Sequence, residues 1–259
     1  MLRTISGLIG YVLEAEDGDI GQCADFLFDQ DGWTIRYMVA DTRRWLPGRK
    51  VLVSPIALGR PDWESRRFPV KLTREQIEAS PPLDEQAPVS RRYERRWYQH
   101  FGWPYYWGGD GMWGAGPYPS GLWVGPPYPA RTAPSASQAT AAGDEPEEGH
   151  LRSVREVQGY AIHAIDGDIG EVVDFIVDDL TWSIRYLVVD TGTWLSGRQV
   201  LIAPAWVDAV GWTGKKVAVD LTSDDIKNSP EYDTSRPVSR EYEAALHDHY
   251  NRPKYWEHD

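Results

Sequence analysis

The chain repeats itself at a fixed offset. Asp17-Gly18-Asp19-Ile20-Gly21 recurs as Asp166-Gly167-Asp168-Ile169-Gly170, 149 residues later. Trp33 recurs as Trp182, Asp41-Thr42 as Asp190-Thr191, and Pro88-Val89-Ser90-Arg91 as Pro237-Val238-Ser239-Arg240. The register holds from Leu2 to Trp107 without a gap, with roughly two in five positions identical. Fold and function must therefore be read once per copy. A residue found in one copy alone is a poor candidate for an activity shared by both.

Each copy is roughly 100 residues long, enough for a core of its own. The expected domains are residues 1–107 and 151–259, joined by a flexible linker over 108–150 that is rich in Gly, Pro and aromatics, then in Ala, Ser and Glu. The net charge of −12 disfavours binding to a phosphate backbone, so no nucleic-acid partner is expected. The single cysteine, Cys23, excludes an intrachain disulfide. The first residues lack a signal-peptide pattern, and no apolar run reaches membrane-spanning length. These features fit a cytoplasmic protein.

Short β-rich runs separated by turn signals predict strands at 8–13, 20–28, 33–41, 50–54 and 68–72. Copy two gives 157–164, 169–177, 182–190, 199–203 and 216–221. Close turns argue for a mainly β fold of two tandem small antiparallel barrels. Each barrel is followed by short helices. Thr73 and Gln76 have capping-box spacing, repeated at Thr222 and Asp225. A second helix starts near Ser90 and Ser239, with Tyr93, Trp97 and Phe101 on one face.

The run Gly-Tyr, Asp-Gly-Asp-Ile-Gly, Asp-Phe, Ile-Arg-Tyr-x-Val-x-Asp-Thr and Trp-Leu-x-Gly-Arg resembles the PRC-barrel family, named for the cytoplasmic domain of the photosynthetic reaction centre H subunit. The Pro-Val-Ser-Arg-x-Tyr-Glu helix and Pro-x-Tyr-Trp tail resemble the extension of stand-alone bacterial members. The resemblance implies a small β-barrel that serves as an interaction module. The chain lacks the membrane helix of the H subunit and the amino-terminal domain of the family's ribosome maturation factor, so neither role carries over.

Candidate sites follow from the pattern. A four-residue turn at 29–32 would set Asp25 opposite Arg36 and Asp174 opposite Arg185, as structural charge pairs. Phe26, Ile35, Tyr37 and Val39, with Trp33, are expected on the core face. Their counterparts are Phe175, Ile184, Tyr186, Val188 and Trp182. Trp45 with Arg49, and Trp194 with Arg198, suit a protein contact because both residue types concentrate in hot spots. Arg91, Arg92, Arg95 and Arg96, followed by Trp97, form the other candidate contact, and also resemble an interfacial helix.

Asp17-x-Asp19 reads as a tight turn rather than a calcium loop. His247, His249 and His258 lack the spacing of a zinc site. No catalytic constellation, metal or cofactor motif is present. The expectation is a non-enzymatic scaffold with a protein partner of unknown identity. Its barrels would pack as an intramolecular pseudo-dimer or a homo-oligomer. A membrane-surface module is the alternative.

Overall fold

A computed structural model describes residues 1–42, 45–46, 49–83, 88–125, 150–192 and 197–257. The strands of copy one are β1 (Leu2–Thr4), β2 (Val12–Ala15), β3 (Gly18–Asp29), β4 (Thr34–Asp41), β5 (Lys50–Val53) and β6 (Arg67–Pro69). They are followed by α1 (Arg74–Glu78) and α2 (Arg91–Phe101). Copy two contributes β7 (Leu151–Ser153), α3 (Val154–Val157), β8 (Ala161–Ala164), β9 (Gly167–Asp178), β10 (Ile184–Asp190), β11 (Gln199–Ile202), β12 (Val207–Gly211) and β13 (Lys216–Val219). Helices α4 (Ser223–Lys227) and α5 (Arg240–His249) complete it. All ten strands expected from the sequence are present, with shifted ends.

The protein is mainly β and contains two sheets. One runs β5-β4-β3-β2-β6 and the other β11-β10-β9-β8-β13-β12. The expectation of purely antiparallel closed barrels needs correction. Among the described residues neither path closes on itself, and β2–β6 and β8–β13 are parallel pairs. A parallel neighbour needs a long return connection. Here the chain passes through β3–β5 between β2 and β6, and through β9–β12 between β8 and β13.

The compact units cross the copy boundaries. The first gathers Met1–Gly7, Arg155–Asp179 and Ile184–Asp259; the second gathers Leu8–Val154 and Leu180–Ser183. In the first unit β1, from copy one, pairs antiparallel with β9. In the second, β7, from copy two, pairs antiparallel with β3. Each sheet is thus completed by a strand from the other copy. The aromatic tails are not exchanged: Tyr106 packs against α2 of its own copy, and Tyr255 contacts Glu243 of α5.

Local signals explain the retained turns. Gly21 and Gly170 have φ of 129° and 146°. A Cβ at either would lie 2.0 Å from the carbonyl oxygen of Asp41 or Asp190. Only glycine fits that crossing. Asp17 and Asp166 accept the first backbone N–H of α1 and α4, each at 2.8 Å. Asp19 pairs with Arg67 at 2.8 Å. Both capping boxes form, including the one with Asp225. Ser90 and Ser239 cap α2 and α5, and Gly102 ends α2 at φ 66°.

The expected core face is buried. Phe26, Ile35, Tyr37, Phe175 and Tyr186 are fully enclosed, and Val39, Ile184, Val188 and Trp182 nearly so. Trp33 is half-buried and stacks on Phe28 with ring centroids 5.3 Å apart. Residues 108–125 are structured within the second unit. Trp113 is buried there and its indole N–H donates to Thr181 O at 2.8 Å, while Gly114 turns the chain at φ 68°. The remainder of the expected linker, 126–149, lies outside the described residues.

Candidate functional site

The helix face that docks on each sheet carries a buried carboxylate. Glu94 on α2 is fully enclosed and Glu243 on α5 nearly so. The serine cap sets the start of each helix, and the Tyr93, Trp97 and Phe101 stripe turns α2 toward the sheet. Glu94, next to Tyr93, is carried inward with it. A buried charge is tolerated only when it is paired and hydrogen-bonded.

Those partners are present, and they repeat at the 149-residue offset. Tyr37 and Tyr106 hydroxyls donate to Glu94 Oε1 at 3.0 and 3.1 Å, and Arg91 Nη1 donates to Oε2 at 3.1 Å. Tyr186 and Tyr255 donate to Glu243 Oε1 at 3.0 and 2.7 Å, and Arg240 pairs with Oε2 at 3.1 Å. Arg36 lies 4.0 Å above the Tyr106 ring and Arg185 lies 4.0 Å above Tyr255. Arg91 and Arg240 cover Trp107 and Trp256, each at 4.2 Å. Such stacked cations add an electrostatic attraction to the ring faces.

Burial, and then the adjacent Glu94, push the Tyr37 and Tyr106 hydroxyls well above their ordinary range. Burial and the Glu243 hydrogen bond likewise raise Tyr255 to about 12. These phenols therefore stay protonated at neutral pH and serve as donors.

The histidines distinguish the copies. In the second unit His150 Nε2 lies 3.0 Å from Glu94 Oε2 and 3.1 Å from the Tyr106 hydroxyl. In the first, His247 stands on α5 where copy one has Tyr98. Its Nδ1 donates to Pro253 O at 2.8 Å, and Nε2 lies 3.1 Å from the Tyr186 hydroxyl. Burial holds the His247 pKa below the ordinary histidine value.

The expected charge pairs do not form. Asp25 pairs in register with Val39, and Arg36 instead binds Asp29 Oδ2 at 2.6 Å, with both side chains buried. Arg185 faces Asp178 at 3.7 Å rather than Asp174. The reason is a turn one residue later than expected, followed by a bulge: Asp29 pairs with Thr34, which already sets Phe28 away from Trp33. Phe28 pairs with Ile35 and Leu27 with Tyr37, so Arg36 is skipped. In copy two Arg185 is skipped between Ile184 and Tyr186. An extra residue on one strand shifts every later partner. Asp25 and Asp174 accept hydrogen bonds from Ser153 and Ser6, next to or on the exchanged strands.

The candidate contact residues separate into three groups. Arg49 and Arg198 turn inward onto carbonyls: Arg49 donates to Glu78 O at 2.7 Å and to Ser80 O, and Arg198 donates to Lys227 O at 2.9 Å and to Ser229 O. Each guanidinium thereby satisfies backbone at the end of a short helix. Trp45 is half-buried, with the Arg74 guanidinium 5.8 Å from its ring centre; Trp194 lies outside the described residues. Trp97 is fully buried against Tyr37, Phe101 and Trp103, so its ring faces the core. Arg91 belongs to the Glu94 network. Arg92 and Arg96 are exposed and Arg95 partly so.

His249 binds Asp225 O at 2.7 Å, and His258 lies outside the described residues. Among the described residues no group of three or more His, Cys, Asp or Glu is placed to hold a metal ion.

The network was not anticipated from the sequence, although a signal for it is there. Glu94 and Glu243 are retained on a helix whose neighbours Arg92, Arg95 and Arg96 become Glu241, Ala244 and Ala245. A carboxylate kept while nearby charges change is held by partners of its own.

The fold and this network define a small β-sheet module with a helix docked by a polar clamp. Residues 150–228 match the PRC-barrel domain, and the chain carries a PRC-barrel domain there. The chain is also 39% identical over 85 residues to a protein of Deinococcus radiodurans described as uncharacterized, covering 32% of this chain and 30% of that relative. The chain thus matches less than a third of that relative's length. No helix among the described residues is long and apolar enough to cross a membrane.

Proposed function

We propose that this chain is a non-enzymatic scaffold built from two PRC-barrel modules, residues 1–107 and 151–259, acting in the cytoplasm. Support comes from what the two copies keep and what they change. The retained polar groups close on one another in the Tyr-Glu-Tyr-Arg clamps, which hold a helix to a sheet. The observation that carries the reading is the outward face of α2. It presents Arg92, Arg95 and Arg96, where α5 has Glu241, Ala244 and Ala245. A basic face on one module of an acidic chain suits an acidic protein partner.

In-cell crosslinking followed by capture tests this reading, comparing wild type with the Arg92→Glu/Arg96→Glu chain. Loss of a specific crosslinked protein is expected. An unchanged set of partners rejects the α2 face.

The membrane-surface alternative rests on the same arginines. Against it, the apolar side chains Tyr93, Trp97 and Phe101 are buried in their own unit. Insertion of an apolar face, the main binding term for an interfacial helix, is then lacking. Flotation with anionic liposomes separates the two readings.

A further inference from the structure

The exchanged strands are the least expected feature of the fold, and they define a site. Strand β1 lies on the edge of β9 with Leu2 opposite Asp178, Arg3 opposite Val177 and Thr4 opposite Ile176. Ile5 continues the ladder, donating to Phe175 O at 2.9 Å, and its side chain is fully buried. Ser6 closes the segment, its N–H and hydroxyl both donating to the Asp174 carboxylate. The edge is acidic, with Asp174, Asp178 and Asp179, whereas the segment carries Arg3, which lies 3.9 Å from Asp179.

The arrangement is repeated. Strand β7 lies on β3 with Leu27 opposite Ser153, Phe28 opposite Arg152 and Asp29 opposite Leu151. This is the β1–β9 register displaced by the repeat offset. In both units the strand comes from the other copy. The acceptor edge therefore recognises an extended segment by backbone ladder, a buried anchor and a carboxylate latch, as in β-strand addition.

We propose that the β9 edge, residues 174–179, is a strand-acceptor site that also takes the Met1–Gly7 segment of a second copy of this chain, giving a strand-exchanged dimer. The strand ladder, the Ser6–Asp174 hydrogen bonds and the Arg3–Asp179 pair all lie within one compact unit, so these contacts are the same whichever chain donates the segment. Donation within one chain is favoured only by the high local concentration that covalent linkage provides, on the order of millimolar for a short flexible tether. Exchange between chains competes when the protein folds at comparable concentration. The inference stands on the strand pairings and does not depend on the scaffold reading.

Cysteine trapping in the full chain tests it. Ile5 donates to Phe175 O and Asp179 donates to Met1 O, which makes Leu2 and Asp178 a non-hydrogen-bonded pair. Such a pair has Cα atoms about 4.5 Å apart, within reach of a disulfide. In a Cys23→Ala background, Leu2→Cys chains are co-refolded with Asp178→Cys chains carrying a different tag, then oxidised.

A disulfide-linked heterodimer is expected. Its yield should fall about tenfold when the chains are refolded at a tenfold lower concentration, because capture within a chain does not depend on concentration. The Leu2→Cys/Asp178→Cys double variant serves as control and should close within one chain. Closure of that control with no heterodimer at any concentration would overturn the proposal. If either cysteine blocks folding, the next non-hydrogen-bonded pair, Thr4→Cys with Ile176→Cys, carries the same test.

Discussion

The Tyr37 hydroxyl donates to Glu94 Oε1 across 3.0 Å, and 149 residues later the Tyr186 hydroxyl makes the same bond to Glu243 at 3.0 Å. In each case a strand residue meets a helix carboxylate far away in sequence, inside the core. The pair ties the helix to the sheet, and its removal leaves buried groups without partners.

Glu94→Ala should therefore destabilise the protein by about 3–5 kcal/mol, the usual cost of breaking a buried charged pair. Glu94→Gln keeps an acceptor for the tyrosines and should cost less. Glu243→Ala should also cost less, because Arg240 is 54% exposed against 20% for Arg91. Urea unfolding monitored by tryptophan fluorescence measures the order. Equal losses for Glu94→Ala and Glu94→Gln would contradict the clamp.

A second difference between the copies lies in what the bulged arginine reaches. Arg36 is buried with Asp29 at 2.6 Å and also donates to Met112 O at 2.6 Å, whereas Arg185 reaches Asp178 only at 3.7 Å. Arg36→Ala should cost about 3 kcal/mol or more. Arg185→Ala should cost less, because its pair with Asp178 is longer and less enclosed. Arg36→Lys should fail to restore stability, since an ammonium cannot both fork to two oxygens and stack on Tyr106. Thermal unfolding of the three variants checks this.

The glycine of each Asp-Gly-Asp-Ile-Gly run gives a steric test. Gly21→Ala and Gly170→Ala place a methyl against a backbone oxygen and should each cost at least about 2 kcal/mol. At Gly10 the φ is 82° but nothing lies within 4 Å of an added Cβ, so Gly10→Ala should cost only about 1 kcal/mol. Similar losses at Gly10 and Gly21 in denaturant titrations would reject the close-approach argument.

His247 predicts a pH dependence confined to one copy. Burial lowers its folded-state pKa below the unfolded value of about 6.5. As pH falls, the unfolded chain takes up this proton first. The stability tied to the neutral ring is thus full above about pH 6.5 and is lost as pH drops through the folded pKa. Pro253 O, Glu243 and Asp248 oppose the shift, and Lys254 adds to it. Hydrogen exchange in α5 should accelerate on acidification from about pH 7.5 to about pH 5. In His247→Gln that acceleration should shrink; an unchanged profile would assign it to another group.

The sequence by itself determined the local structure: the duplication, the strand series, the Asp-Gly turns, and the Thr and Ser caps. Each is encoded by neighbours a few residues apart, through turn geometry, side-chain alternation or capping. It also placed Phe26, Tyr37, Phe175 and Tyr186 in the core, because alternation along a strand marks its buried face. Only the tertiary structure decided the partners. A later turn and a bulge moved Arg36 from Asp25 to Asp29, since strand register depends on the whole sheet. The burial of Glu94 depended on Tyr37, Tyr106, Arg91 and His150 meeting it at once. The exchange of β1 and β7 left no local trace, because an extended segment carries the same pattern whichever sheet edge it completes.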